Sequence, residues 1–277
     1  MNRCIPCNAL TLSLWRKAAR IAKIPGLSLL AVALFASSSS AEIPLDQRRS
    51  SYDGMAAETR AMQDDEAANP GMFWVLDGES LWNAKAGAAQ KSCADCHGDA
   101  KAGMHAAAHY PQFDAARGKL VDIEDRVNIC RTERQQATPL VRESKELLAL
   151  TSFVARQSKG VPIAISEDPR TRAIIEQGRE LFTRRQGQLN LSCAICHDDN
   201  WGQKLAGAGI PQGHPTGYPV YRLEWQTMGS LQRRLRNCMS GMRAQTYDYG
   251  SNEFAALELF LMWRARGLKI EAPAVRP

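Results

Sequence analysis

The pentapeptides CADCH (Cys93 to His97) and CAICH (Cys193 to His197) stand 100 residues apart in this chain of 277. C-x-x-C-H is the attachment signature for c-type haem: both thiols add to the vinyl groups, and the histidine becomes an axial iron ligand. A single copy is also compatible with zinc, where two cysteines and a histidine need only a distant fourth ligand. Two copies favour haem, with Cys93, Cys96, Cys193 and Cys196 as attachment sites and His97 and His197 as iron ligands.

The surroundings of the motif are duplicated as well. Trp74, Val75, Gly78, Leu81 and Trp82 recur at the same offset as Ile174, Ile175, Gly178, Leu181 and Phe182. Positions i, i+1, i+4, i+7 and i+8 line one face of a helix, and a central glycine lets a second helix come close. Ser92, Ala94 and Asp99 return as Ser192, Ala194 and Asp199. Each half ends in an apolar segment with helical spacing, ELLALTSFVA from Glu146 and EFAALELFLMW from Glu253. An N-terminal helix, a haem motif and a closing helix that crosses the first is the layout of a small c-type cytochrome. The expected fold is therefore mainly α, with two tandem cytochrome c-like domains, each binding one covalently attached haem c. Their expected limits are residues 42–160 and 161–277, and the turn-rich stretch QSKGVPIAISEDPR (Gln157 to Arg170) is expected to link them.

The first 41 residues have a different character. Arg16, Lys17, Arg20 and Lys23 precede the apolar run LSLLAVALFA, and SSSSA follows, ending at Ala41. This is the pattern of a secretory signal peptide over residues 1–41, which predicts export to the periplasm. Ten apolar residues fall short of the roughly 20 that a spanning helix needs, so no membrane span is expected in the mature chain. Cleavage would remove five basic and no acidic residues and lower the formal charge from +6 to +1. A nucleic-acid ligand would need a basic face, which the bulk composition does not provide.

Two cysteines of the mature chain remain, Cys130 and Cys238, each between a haem motif and the closing helix. Both sit in an R-x-x-x-C frame, RVNIC (Arg126 to Cys130) and RLRNC (Arg234 to Cys238). Duplicated placement points to thiolate ligation of each iron opposite His97 and His197, which lowers the reduction potential relative to a methionine ligand. An interdomain disulfide or inert buried thiols also satisfy the spacing, and Met104, Met228, Met239 and Met242 are further possible ligands. His105, His109 and His214 read as surface or loop residues. On a helix through SLQRRLRNCMSG, Leu231, Leu235 and Cys238 share a stripe, Arg234 lies one turn before Cys238, and Gly241 ends the helix.

The two cysteines differ in setting. From Arg222 to Arg243 there are five arginines (222, 233, 234, 236 and 243) against Glu224, whereas Asp122, Glu124, Asp125 and Glu133 balance Arg126, Arg131 and Arg134 around Cys130. An arginine cluster is often only a solvated helix face. Beside a lone thiol it favours the thiolate and offers planar donors to an oxyanion. A small sulfur oxyanion fits such a site, its sulfonate end on the arginines and its sulfane sulfur at Cys238.

These motifs together resemble the SoxA family, the dihaem subunits of the sulfur-oxidising cytochrome SoxAX. The resemblance covers nearly the whole mature chain. It implies an L-cysteine S-thiosulfotransferase that oxidatively joins thiosulfate to a cysteine of the carrier SoxYZ, with the mono-haem cytochrome SoxX as partner and a soluble cytochrome c as acceptor. It further implies Cys238 as the active cysteine, carried as a persulfide, Arg234 as substrate-binding, and His97/Cys130 and His197/Cys238 as axial pairs. Some relatives lack the first haem motif, which implies a structural or relay role for that haem. A dihaem thiosulfate dehydrogenase forming tetrathionate and a non-catalytic dihaem electron carrier are the alternatives.

Overall fold

A computed structural model describes residues 43–102 and 104–277; the expected signal peptide lies outside them. Along the chain come α1 (Ala57–Asp64), α2 (Met72–Asn83), α3 (Ala94–His97), the hairpin β1 (Gln112–Asp114) and β2 (Lys119–Val121), α4 (Ile123–Cys130) and α5 (Lys145–Arg156). The second half repeats the theme with α6 (Pro169–Thr183), the short hairpin β3 (Lys204–Leu205) and β4 (Ala208–Gly209), then β5 (Val220–Arg222), β6 (Thr227–Gly229), α7 (Leu231–Gly241), α8 (Asn252–Arg264) and β7 (Ala274–Arg276).

In each half the helix before the haem motif crosses the closing helix, α2 on α5 and α6 on α8. The faces are those expected from the repeat: Val75, Gly78 and Trp82 are buried on α2, and Ile175, Gly178 and Phe182 on α6. The glycines set the distance. A Cβ on Gly78 would lie 2.1 Å from the Ala149 carbonyl oxygen, and one on Gly178 would lie 2.2 Å from that of Ala256. Side chains on the helix pairs fill the cores, with Val75, Trp82, Leu150 and Phe153 in one and Ile175, Phe182, Phe254 and Phe260 in the other. Ser144, Asp168, Ser230 and Ser251 cap α5, α6, α7 and α8 by accepting backbone N–H bonds in the first turn.

The stretch expected to be a linker is packed. Ile163 and Ile165 are buried in the same core as Ala107 and Ala108 from the first half and Phe260 and Ile270 from the second. Its backbone is held on both sides, with Ala164 N–H donating to Ala108 and Ile163 N–H to Leu268. Pro169 and Arg170 belong to α6, because Asp168 caps that helix and proline is suited to its first position.

Strands β5 and β6 repeat the β1–β2 hairpin at an offset of 108 and in the same register, and β7 joins the second copy alone, giving a three-stranded sheet ordered β6-β5-β7. Strand β5 runs antiparallel to β6 and parallel to β7, which places Arg222 between Thr227 and Arg276. The segment ahead of α2 is pinned to this sheet: Val275 N–H donates to Gln63 of α1 at 3.1 Å, and the Asn69 amide donates to the Pro273 carbonyl at 3.0 Å.

Candidate functional site

Each C-x-x-C-H motif begins at a capped turn. Ser92 accepts from Asp95 N–H and Asp95 accepts in return from Ser92 N–H, while Ser192 accepts from Ile195 N–H. This explains why the serine recurs. An aromatic ring on the preceding helix packs beside each histidine, Trp82 with His97 at 5.6 Å and Phe182 with His197 at 6.5 Å between ring centroids.

A second duplicated contact holds each lone cysteine near its motif. Gly87 and Gly187, both left-handed, press against the turn that follows the cysteine helix, and a Cβ there would meet the Gln135 or Met242 carbonyl oxygen at 2.0 or 2.3 Å. Ala88 and Ala89 N–H donate to Gln136 and Gln135, and Gln188 and Leu189 N–H donate to Arg243 and Met242. Gln136 and Arg243 are left-handed in turn. The π-helical turn Arg131–Gln135 after Cys130 absorbs the one extra residue of the first copy.

In the first half this arrangement borders a pocket of about 970 Å³ that is open to solvent. Cys93, Cys96, His97 and Cys130 line it together with Trp82, Leu150 and Val154. Two attachment thiols, a histidine and a facing thiol around a large apolar cavity are a donor set that fits a haem c. Met104 also lines the cavity, so the structure leaves two sulfur ligands in reach of this site. In the second half His197 and Cys238 lie within hydrogen-bonding reach of each other, and Cys193 and Cys196 feel the charge of Cys238. His197 Nδ1 donates to the Pro211 carbonyl at 2.7 Å, leaving Nε2 as the nitrogen available to a metal. This donor set fits a haem c too. Met228, Met239 and Met242 are buried in the cores, and none of the six described cysteines forms a disulfide.

The electrostatics of the two lone thiols diverge. Burial pushes the Cys130 thiol up, and Arg126 and Arg134 only partly offset this. Burial opposes ionisation of Cys238 as well, but the hydrogen bond with His197 and the charges of Arg234 and Arg222 outweigh it and hold the thiol below its ordinary value. Of the acids near Cys130 in sequence, Glu133 acts on the thiol as expected and opposes its ionisation, but the other three pair elsewhere. Asp122, Glu124 and Asp125 occupy the far end of α4, where all three pair with Arg142 at 2.6–2.8 Å. The five arginines of the second half divide in the same way. Arg233 stacks on Trp225 at 4.4 Å, and Arg236 stacks on Tyr249 at 4.8 Å and donates to the Tyr247 carbonyl. Arg234 and Arg222 are the two that act most on Cys238.

His105 and His109 are exposed and hydrogen-bond to the Gln157 and Ala164 carbonyls. His214 is in a loop, as expected, but it is buried rather than on the surface; burial depresses it to about 4, and its Nδ1 donates to the Arg49 carbonyl. Sequence patterning also missed a buried ion pair next to the second motif, Arg264 to Asp198 at 2.7 Å, with Arg264 lying over Phe182. Its two members are 66 residues apart and follow no shared period.

The family described as SoxA/TsdA, cytochrome c domain, matches residues 77–163 and 177–270. The L-cysteine S-thiosulfotransferase subunit SoxA of Pseudaminobacter salicylatoxidans is 39% identical over 84% of this chain and 82% of its own length. That of Rhodovulum sulfidophilum is 34% identical over 83% and 81%. The crystal structure of SoxXA from P. pantotrophus superposes with a TM-score of 0.80 at 35% identity, covering 83% of this chain and 87% of that one.

Proposed function

The chain belongs to the SoxA/TsdA cytochrome c family, and from that premise we propose that it is the catalytic subunit of an L-cysteine S-thiosulfotransferase. In the proposed reaction a carrier thiolate and the sulfane sulfur of thiosulfate form one S–S bond, giving a cysteine S-thiosulfonate and releasing two electrons. The observation that carries this is the asymmetry of the lone cysteines: Cys238 is held towards thiolate between Arg234 and Arg222, and Cys130 is not.

In this proposal Cys93 and Cys96, and Cys193 and Cys196, attach two haem c groups covalently, in domains spanning residues 42–160 and 161–277. His97 with Cys130, and His197 with Cys238, would hold the two irons. The haem at the second site, when bound, supplies a one-electron acceptor beside the reacting sulfur. The Pro211 carbonyl fixes the His197 tautomer, and the latch through Gly187 keeps α7 against the motif. Arg234, one turn before Cys238 on α7, binds the sulfonate oxygens and leaves the sulfane sulfur directed at Cys238. Cys238 and the sulfane sulfur form one S–S bond as two electrons pass to the mono-haem partner, and the carrier thiolate then attacks that sulfane sulfur, releasing the Cys238 thiolate and carrying away the thiosulfonate. The partners in this proposal are the mono-haem cytochrome SoxX, the carrier SoxYZ and a soluble cytochrome c, and the signal-peptide pattern of residues 1–41 supports a periplasmic location. Among the described residues no helix is long and apolar enough to cross a membrane.

The test uses the haem-loaded chain with its mono-haem partner, thiosulfate and the carrier. Cys238→Ser is expected to lower conjugate formation at least a hundredfold, while Cys130→Ser leaves it within a few-fold. Equal loss in both variants, or tetrathionate as the product in place of the conjugate, would overturn the assignment.

A further inference from the structure

The two closing helices end differently beside their haem motifs. Phe153 of α5 and Phe260 of α8 take the same place in the helix crossings, against Gly78 and Gly178. Four residues on, Gln157 caps the end of α5 whereas Arg264 ends α8, and directly after the motif histidines stand Gly98 and Asp198. In the first half these positions are neutral: the Trp82 indole donates to the Gly98 carbonyl at 3.1 Å, and the Gln157 amide donates to Phe153 of the same helix at 2.8 Å. In the second half Phe182 replaces Trp82 and has no donor to offer. The Arg264 guanidinium lies over its ring at 4.5 Å and pairs with Asp198 at 2.7 Å, the two side chains being 3% and 8% exposed.

Arg264 also reaches the loop on the other side of the histidine. Its Nη2 donates at 3.2 Å to the carbonyl of Gln212, the residue after Pro211, whose own carbonyl accepts from His197 Nδ1. Gly213 comes next, left-handed and against the imidazole, where a Cβ would lie 3.0 Å from His197 Cγ. The segment ahead of α1 anchors this loop from behind. Arg49 N–H donates to Gln212 Oε1 at 2.7 Å, Gln212 Nε2 to the Gln47 carbonyl at 3.1 Å, and His214 Nδ1 to the Arg49 carbonyl at 2.8 Å. One buried guanidinium therefore ties together the two chain segments that flank the His197 ring. A buried ion pair seldom adds net stability over a neutral, well-packed alternative. The first half manages with such an alternative, so stability alone does not account for the pair.

We propose that Arg264 is a positioning residue for the second iron site. By holding Asp198 and the Gln212 carbonyl together it fixes the ring plane of His197, and with Asp198 it keeps the net buried charge beside that ring at zero. The partners behind a metal-binding histidine, and the charge around it, set its orientation and the reduction potential of the group it holds. The inference rests on the thiosulfotransferase assignment, in which His197 must keep its grip while Cys238 exchanges bonds, and it explains why only this half carries the clamp.

The test follows the second haem by ferric EPR and redox titration of the haem-loaded complex with its mono-haem partner, with the first haem as internal reference. Arg264→Gln leaves a buried carboxylate unpaired, which favours ferric iron, so the second-haem potential is expected to fall; Asp198→Asn leaves the guanidinium unpaired, and the potential is expected to rise. Both variants are expected to shift the g-values of the second haem alone, because the ring loses one restraint. Arg264→Lys keeps the charge without the planar fork, so it is expected to restore the potential and leave the g-values shifted. A residue that only stabilised the fold would move neither signature in protein that still carries both haems. In Arg264→Gln the kcat for conjugation is expected to fall about tenfold, the low end for a residue behind a metal ligand, with the thiosulfate KM unchanged. Second-haem g-values and potential that stay at wild-type values in Arg264→Gln and Asp198→Asn, with conjugation retained, would overturn the inference and leave the assignment standing. Should Arg264→Gln fail to load its haems, the isosteric Asp198→Asn decides alone. A wild-type chain that shows no second haem would sink the assignment itself.

Discussion

Burial pushes both lone thiols upward, and only Cys238 has the neighbours to reverse it. Buried carboxyls in the same protein show what happens without enough compensation. Arg142 serves Asp122, Glu124 and Asp125, helped by Lys119 at Asp125 and Gln232 at Asp122, and Glu258 on α8 is buried beside them. Burial, followed by the Asp122 charge, pushes Glu124 up to about 8 from an ordinary value of 4.5. The folded state therefore holds a proton that the unfolded chain releases. The stability this contributes is full below about pH 4.5 and is lost as pH rises to about 8. Glu124→Gln cannot titrate, so the wild type is expected to lose stability relative to this variant between pH 5 and pH 8, measured by denaturant unfolding. His214, depressed to about 4, acts in the opposite sense as pH falls, but it is present in both proteins and cancels. A stability difference that stays constant across that range would show that Glu124 is ionised throughout.

At the scale of elements, the two glycine crossings are the strongest test of the duplicated architecture. Gly178→Ala places a methyl group 2.2 Å from a backbone oxygen and 2.6 Å from Phe260 Cβ, so α6 and α8 must separate. The cost is expected to be about 2–3 kcal/mol, more than the gain in helix propensity, and to show as a lower denaturant midpoint. An unchanged midpoint would mean the helices do not cross at this residue. These crossings were legible because glycine, aromatic and aliphatic positions repeat at one offset on one helix face. The latch through Gly87 and Gly187 was not, since its partners are backbone carbonyls, which any residue supplies. Sheet β6-β5-β7 escaped for a related reason: each strand has three residues, too few for an alternating pattern to stand out.

Across the whole molecule, the repeat explains two matching sets of cysteine and histidine side chains, and the differences between the halves explain why their settings diverge. The first half keeps a cavity framed by Cys130 without a nearby anion-binding face. The second half adds strand β7 beside β5 and carries Arg222 where the first hairpin has Asp114, and the Arg222 charge favours the Cys238 thiolate. From sequence, the expected linker suggested two separate bodies; its isoleucines instead join one core with residues from both halves, because Val161, Ile163 and Ile165 alternate like a strand among the turn formers. The proposed site was drawn in sequence from the cysteines, histidines and Arg234, whose spacings are motif-like. Tyr218 repeats Tyr110, 20 residues before its cysteine in each half, at an offset of 108 that the 100-residue offset of the haem motifs hides; Arg264 follows no shared spacing, and only folding shows its proximity to the second motif. The central claim is that Cys238 is the reactive sulfur and Cys130 is not. High-resolution mass spectrometry of both cysteine peptides tests it most directly, on mature haem-loaded protein kept non-reducing after exposure to thiosulfate. The account predicts an added sulfur atom or thiosulfonate on Cys238 and none on Cys130; an unmodified Cys238, or equal modification of the two, would contradict it.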